Sequence, residues 1–229
     1  MLEKELLLER DLFFFLNGSD SALLDNFFFI HTNQWVWIFF YLCFLFVFIH
    51  EKDRKEIFLV LIVIFLLVLF TDKISSGVFK PFFHRFRPTH HPDFFEHVKT
   101  VFNYRGGLYG FVSSHAANSF GFATFCALII RNKFFSFTIF IFALLNSYSR
   151  IYLGVHFISD VVVGALIGVV LALLMYLFYK NIRSRWFLVE KDQLNKPIIS
   201  VRETYFLCII YYLYIVTMLI FNNQLVVIL

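Results

Sequence analysis

The chain has 229 residues, of which 60% are hydrophobic, 21% aromatic and only 16% charged. Soluble domains are usually about 45–50% apolar and about 25% charged, so a soluble fold of this length cannot bury so many Phe, Leu, Ile and Val side chains. The net charge of +4 is modest and spread along the chain, which argues against nucleic acid as a partner. The composition predicts an all-α membrane protein that crosses the bilayer several times.

Residues 1–33 alternate short charged blocks with short apolar blocks. This pattern is typical of an amphipathic helix that lies in the membrane interface, and we predict that role for the segment. A true membrane span is the alternative. Ser19-Asp20-Ser21 follows a break at Asn17-Gly18 and can cap a second short helix. Residues 34–229 are predicted to form the transmembrane domain.

Apolar stretches in the rest of the chain predict a bundle of about six transmembrane helices, at about 34–49, 57–79, 116–130, 134–148, 157–179 and 204–222. Two of them, 116–130 and 134–148, are short for a bilayer that needs about 20 residues, but flanking residues can extend both. The long connection 80–115 is rich in His, Arg, Gly and Pro. A connection of that length within a compact domain is usually functional.

The distribution of Lys and Arg predicts the orientation in the cell membrane. The connections 50–56, 131–133 and 180–203 carry eleven of these residues, including Lys52 and Lys191. The opposite side, which includes Lys4, carries five once the three cations assigned to chemistry below are set aside. The positive-inside rule therefore places the first group in the cytoplasm and the connection 80–115 on the outer face.

Three segments that are distant in sequence carry polar residues to that outer face. They are KPFFHRFRP with Lys80 and Arg87, VSSHAANS with Ser113, Ser114 and His115, and SRIYLGVHFISD with Arg150, His156 and Asp160. Cations and hydroxyls beside the start of a helix are suited to binding an oxyanion, since Arg, Lys and free backbone N–H groups all bind phosphate. We therefore predict a phosphate site.

His156 and Asp160 are four residues apart and share one face of a helix. A carboxylate in that position can accept a hydrogen bond from Nδ1 of the histidine and leave the Nε2 lone pair free. This pairing predicts that His156 is a nucleophile oriented by Asp160. His115, on a separate element, can then serve as the general acid.

The three segments resemble the signature of the type 2 phosphatidic acid phosphatases. Lys80-x6-Arg87-Pro88 and Ser149-Arg150-x5-His156-x3-Asp160 match at every fixed position, in the same order. The middle segment differs, because the family usually has Pro-Ser-Gly-His and this chain has Val112-Ser113-Ser114-His115. The resemblance covers about residues 57–179.

The resemblance implies a membrane lipid phosphatase that works through a phosphohistidine. In that scheme His156 attacks phosphorus, Asp160 orients it, and His115 protonates the departing lipid oxygen and then activates water. The residues implied to hold the phosphate oxygens are Lys80, Arg87, Ser113, Ser114 and Arg150. Neither a metal nor another cofactor is implied. The cluster of His90, His91, Asp93 and His97 is interpreted as a polar loop, with a metal site as its alternative.

The expected substrate is a lipid phosphate or lipid diphosphate on the outer leaflet. We rank undecaprenyl diphosphate first, lipid A phosphate second and phosphatidylglycerol phosphate third. A phosphotransferase that passes the phosphoryl group to a lipid acceptor is the alternative. A transporter or flippase is less favoured, since it would distribute charges through several spans. The expected partners are the lipid substrate and membrane lipids, and the sequence does not define the oligomeric state.

Overall fold

A computed structural model of the chain describes residues 2–51, 54–186 and 191–229, with side chains for 8–49, 54–186 and 193–229. Lys52, used in the charge comparison, lies outside the described residues, as do the side chains of Lys4 and Lys191. The described residues form helices and contain no β-sheet, so the predicted all-α class is confirmed.

The helices follow one another in the order α1 (Leu2–Asn17), α2 (Ala22–Thr32), α3 (Ile38–Glu51), α4 (Arg54–Phe83), α5 (Ser114–Ile130), α6 (Lys133–Tyr152), α7 (Ile158–Trp186), α8 (Val201–Ile220) and α9 (Asn222–Ile228). A 3-10 turn, Gln34–Trp37, precedes α3, and α4 contains a π-helical stretch over Lys73–Phe79. Shorter helical turns cover Pro88–His90 and Lys191–Leu194.

Among the described helices, α4, α6, α7 and α8 are long and apolar enough to cross a membrane. Helix α2 and the helical stretch Gln34–Ile49 meet at a 69° bend and add a fifth crossing if they form one broken span. The protein is thus a multi-pass membrane protein, but the predicted number of six spans is not confirmed. Helix α5 has 17 residues, about 26 Å at 1.5 Å per residue, which is less than the roughly 30 Å of the hydrocarbon core.

Helix α5 lies inside the bundle, against α4, α6 and α7. Its crossing with α7 is close because α7 has glycines at the contact. A Cβ on Gly164 would lie 2.5 Å from the Ser113 carbonyl oxygen, and one on Gly168 would lie 2.2 Å from that of Ala117. Small residues allow membrane helices to approach in this way. The Ser113 N–H also donates to the Asp160 carbonyl at 3.0 Å, so the starts of α5 and α7 are held together.

The N-terminal segment packs against the end of the bundle that carries these helix starts. Phe13 of α1 is buried, and its ring lies 5.3 Å from that of Phe157. The Asn17 side chain donates to the Tyr152 carbonyl at 2.8 Å and accepts from the Lys99 N–H at 2.8 Å. Ser21 caps α2, as predicted. The interfacial location of residues 1–33 stays a prediction.

Candidate active site

The three predicted segments come together at one end of the bundle. Lys80 lies near the end of α4, Ser113 caps α5, and Arg150 lies in the last turns of α6. His156 lies in the short connection to α7, and Asp160 lies in the first turn of that helix. The sequence prediction that these residues share a site is therefore consistent with their placement.

His156 and Asp160 form the predicted pair. Nδ1 of His156 lies 3.3 Å from Oδ2 of Asp160, and both side chains are buried. The same Oδ2 accepts a hydrogen bond from the Phe157 N–H at 3.0 Å, which fixes the carboxylate at the start of α7. A proton on Nδ1 directed at this carboxylate leaves Nε2 with its lone pair.

Nε2 of His156 faces a guanidinium group. Nη1 of Arg87 lies 3.0 Å from it and also donates to the Val155 carbonyl at 3.1 Å, while Nε of Arg87 donates to the Tyr109 carbonyl at 3.1 Å. Burial and the nearby charge of Arg150 lower the pKa of Arg87 to about 10, so it stays charged at neutral pH. Burial, followed by the charges of Arg87, Arg150 and Lys80, lowers the pKa of His156 well below its usual value. His156 is therefore neutral at pH 7, as a nucleophile must be.

Lys80 is oriented by two hydroxyls. Its Nζ donates to Ser76 Oγ at 3.0 Å and to Ser114 Oγ at 3.1 Å, and the two hydroxyls lie 3.0 Å apart. Ser76 belongs to the π-helical stretch of α4 and was not predicted from the sequence. Ser114, the residue that replaces the usual glycine of the motif, thus contacts Lys80 through its hydroxyl.

Arg150 is buried and is held by neutral groups. Its Nη1 donates to Thr32 Oγ1 at 2.8 Å and its Nη2 to the Tyr104 hydroxyl at 3.0 Å. Its Nε has no hydrogen-bond partner among the described residues. Thr32 and Tyr104 were not singled out from the sequence, because nothing in their local pattern marks them.

Lys80, Arg87 and Arg150 share one further feature. None of them forms a salt bridge in the part of the chain that the structure describes, whereas nearby Arg85 forms two. Buried charges without a partner are costly. Beside His156, the buried Arg87 and Arg150 and the half-buried Lys80 therefore make a site suited to an anion with several negative charges, and phosphate fits this description.

The start of α5 contributes backbone donors and His115. Ser113 Oγ accepts from the Ala116 N–H at 3.4 Å as the helix cap, so its predicted contact with phosphate stays a prediction. The N–H groups of Ser114 and His115 have no backbone acceptor among the described residues, as is usual in a first helical turn. The charges of Arg150, Arg87 and Lys80 act on the His115 ring, which borders an apolar cavity.

Two charged residues that sequence reasoning missed lie behind Asp160. Nη1 of Arg85 binds Asp160 Oδ1 at 2.8 Å, and its Nη2 binds Glu9 Oε1 at 2.7 Å. Glu9 also accepts from the N–H of Ser159 at 2.8 Å and from its hydroxyl at 2.6 Å. From the sequence, Arg85 is one of the five outer-side cations used only to predict topology. Glu9 lies 150 positions before Ser159, so no local spacing could connect them.

A glycine-containing loop lies against Arg87. Gly106 has φ +66°, and a Cβ there would lie 3.2 Å from Arg87 Nη1. A Cβ on Gly110 would lie 3.0 Å from Asp160 Oδ2 and 3.2 Å from Arg87 Cγ. These glycines let the backbone approach the site closely. Within the described residues, no group of three or more His, Cys, Asp or Glu side chains could hold a metal ion, and the absence of a metal requirement stays a prediction.

Comparison with known proteins identifies a family, two relatives and one solved structure that are similar to this chain. The model of the PAP2 superfamily matches residues 59–184. A lipid A 4'-phosphatase of Porphyromonas gingivalis is 46% identical over 185 residues, which are 81% of this chain and 78% of that protein. A lipid A 4'-phosphatase of Bacteroides thetaiotaomicron is 33% identical over 162 residues, 70% of this chain and 72% of that protein. The crystal structure of Aquifex aeolicus LpxE superposes with a TM-score of 0.54 at 30% identity, covering 73% of this chain and 94% of that one.

Proposed function

The chain belongs to the PAP2 superfamily and is a membrane lipid phosphatase, and from this premise we propose that it removes a phosphate from a lipid A-type glycolipid. The observation that carries the proposal is a group of three cations near His156 that form no salt bridge within the described residues: Arg87 and Arg150 are buried, Lys80 is half-buried, and Arg87 Nη1 lies 3.0 Å from Nε2 of His156. The names of the two relatives favour lipid A phosphate. They do not support undecaprenyl diphosphate, which the sequence analysis ranked first.

In the first step of the proposed reaction, Arg87 Nη1 moves its hydrogen bond from Nε2 of His156 to a phosphate oxygen, and Nε2 attacks phosphorus. A P–N bond forms and the P–O bond to the lipid breaks. Asp160 stabilises the positive charge that develops on the ring, since its carboxylate lies 3.3 Å from Nδ1. Lys80, Arg87 and Arg150, with the free N–H groups of α5, hold the phosphate oxygens as charge shifts onto them.

His115 acts on the leaving group in this scheme. It gives a proton to the departing lipid oxygen, because an alkoxide is a poor leaving group. The bound phosphate offsets the charges of the three cations that act on His115, so protonation is favoured when substrate is present. In the second step a water molecule attacks the phosphohistidine, His115 takes its proton, and the P–N bond breaks to release phosphate.

We also propose that the site faces the outside of the cell membrane. The proposal rests on the excess of Lys and Arg in the connections at the other end of the spans. The outer leaflet is then the source of the substrate, and phosphate is released outside the cytoplasm.

The proposed function is tested by phosphate release from purified lipids in the presence of EDTA. The panel contains a lipid A with two phosphates, undecaprenyl diphosphate and phosphatidylglycerol phosphate, with mass spectrometry of the lipid product. We expect the highest kcat/KM with lipid A and loss of one defined phosphate. Arg150→Gln should abolish release, and Arg105→Gln, at an exposed loop arginine, serves as the matched control. Release only from undecaprenyl diphosphate, or transfer to an added acceptor lipid instead of water, would overturn the assignment.

A further inference from the structure

An apolar cavity of about 570 Å³ adjoins the site and has no role in the chemistry described above. Its volume lies within the range of about 300–1,000 Å³ that is typical of ligand pockets. The lining side chains come from α3, α4, α5 and α6 and from the bend after α2. Leu42 of α3 and Leu61 of α4 line it and are 56% and 43% exposed, so a lipid chain can enter from the bilayer between these two helices.

Two contacts connect the cavity to the phosphate site. His115 is part of its wall. Thr32, another wall residue, accepts the hydrogen bond from Arg150 Nη1 at 2.8 Å. A lipid whose phosphate lies between the cations can therefore place the adjacent part of its tail in this cavity.

The wall of the cavity is polar next to the phosphate site and apolar farther from it. Asn118 lies three residues after His115 on α5, and Asn146 lies four residues before Arg150 on α6. Each asparagine is thus about one helical turn, roughly 5 Å, deeper than its neighbour in the site. Side chains such as Leu45, Ile64 and Val68 then line the apolar part.

Each asparagine has one half of its amide without a partner. Asn118 contacts Thr71 through Oδ1, and Asn146 donates to Ser119 at 2.5 Å through Nδ2. The other amide atom of each makes no hydrogen bond within the described residues. An amide group that faces an apolar cavity inside a membrane gains free energy from a hydrogen-bonding ligand.

We propose, on the basis of the proposed function, that the cavity takes one acyl chain of the substrate. In this proposal Asn118 and Asn146 bind the amide, ester or hydroxyl group that joins this chain to the phosphorylated headgroup. An acylated amino sugar carries such groups a few ångströms from its phosphate. An isoprenoid phosphate has only carbon atoms at that depth, so it leaves both amides unpaired. The two asparagines then select acylated sugar phosphates over isoprenoid phosphates.

The first test measures this selectivity. Asn118→Leu and Asn146→Leu are compared with the control Asn222→Leu, which removes a buried asparagine that pairs with Asn26 and does not line the cavity. The substrates are an acylated glucosamine phosphate and an isoprenyl phosphate of similar length, presented in the same nanodiscs. We expect each cavity variant to lower the ratio of the two kcat/KM values about fivefold to tenfold, as loss of one hydrogen bond predicts. The control ratio should equal that of the wild type.

A second pair of variants keeps the proposal testable if an asparagine variant fails to fold. Leu61→Trp fills the cavity, and Leu166→Trp adds the same bulk to an exposed position of α7 that does not line it. We expect Leu61→Trp to reduce selectivity for long-chain over short water-soluble phosphate monoesters at least tenfold, and Leu166→Trp to leave it unchanged.

The outcomes separate this inference from the proposed function. If the wild type releases phosphate from no acylated sugar phosphate, the proposed function fails. If it does release phosphate but the asparagine and Leu61 variants keep wild-type selectivity, the cavity does not hold the substrate chain and this inference alone is wrong. An equal fall on both substrates in variants that fold would also overturn it, because the asparagines would then not distinguish an acylated sugar phosphate from an isoprenoid phosphate.

Discussion

Arg85 and Asp160 form a buried ion pair, with Nη1 2.8 Å from Oδ1, while the other oxygen of the same carboxylate faces His156. Arg85 is held in turn by Glu9, at 2.7 Å. The N-terminal helix is therefore connected to the nucleophile through two ion pairs and the contact between Asp160 and His156. Neither Arg85 nor Glu9 lies against Nε2, so both are positioning residues in this arrangement.

Replacing Arg85 should impair turnover more than substrate binding. Arg85→Met leaves the carboxylates of Asp160 and Glu9 without this cation, and a lost charge-assisted hydrogen bond is worth about 1.5–3 kcal/mol. We expect kcat to fall about tenfold to a hundredfold while KM stays within about twofold. Steady-state kinetics on a lipid phosphate checks this, and Arg85→Lys, which keeps the charge, should recover part of kcat.

Glu9→Gln is the milder form of the same test, because it keeps the shape of the side chain and removes its charge. We expect about a threefold to tenfold loss of kcat. Asp11→Asn is the matched control, since that residue lies on the same helix with an 86% exposed side chain. A rise in KM at constant kcat for either Glu9 or Arg85 variants would show that they act on substrate binding instead.

The pH dependence should report the cations around His156. Burial and the charges of Arg87, Arg150 and Lys80 lower its pKa, so the ring stays neutral as pH falls below the usual value of about 6.5. The acid limb of kcat/KM for the wild type should therefore lie below about pH 6.5. Arg87→Gln removes one of these charges, which raises the pKa of His156 and moves the limb to higher pH.

Profiles of log kcat/KM against pH for the wild type, Arg87→Gln and the control Arg105→Gln test this prediction. Arg105 is exposed in the same loop, so its variant should keep the wild-type limb. If the rate falls in Arg87→Gln but the limb does not move, Arg87 binds phosphate without acting on the nucleophile.

Part of the geometry of the candidate site could be predicted from the sequence. The predicted pairing of His156 with Asp160 is present, although His156 lies in the connection before α7 and not on the helix that the spacing suggested, and the cap at Ser21 follows from local composition. The ion pair between Arg85 and Asp160 did not follow. Its partners are 75 positions apart, and a basic residue near a span end usually serves topology.

The span count shows a second limit of sequence reasoning. The stretch 116–130 forms α5, a helix of 17 residues that packs against α4, α6 and α7, and an apolar helix can be surrounded either by other helices or by lipid. Hydropathy responds equally to both environments, so length is the better criterion. The motifs also could not predict which lipid phosphate is preferred, because His115 is the one fixed motif position among the described residues that lines the cavity beside the phosphate site.

The contact between Lys80 and Ser114 gives a test of the changed motif. Ser114→Ala removes one of the two hydroxyls that orient the ammonium group, so we expect KM to rise about threefold to tenfold. The double variant with Ser76→Ala should approach the effect of Lys80→Met. Ser136→Ala, at a hydroxyl that bonds only its own helix, is the control. An unchanged KM in the double variant would show that these hydroxyls do not position Lys80 for substrate.

Trapping the phosphorylated enzyme tests the assignment of both histidines at once. A lipid diphosphate with a labelled terminal phosphate expels a lipid phosphate, which leaves without needing a proton. In His115→Ala the first step can then proceed, but water lacks its general base. We expect the label to accumulate on the protein through a P–N bond that is stable to alkali and lost in acid.

The comparison variants make this result decisive. His156→Ala removes the nucleophile, so it should carry no label and should lose turnover by several orders of magnitude. His97→Ala, at an exposed histidine of the long loop, should turn over like the wild type and carry as little label. Label in His156→Ala would exclude this residue as the attacking group. Absence of label in His115→Ala, with diphosphate turnover intact, would show that another group activates water, and the role of His115 would then be confined to monoester substrates.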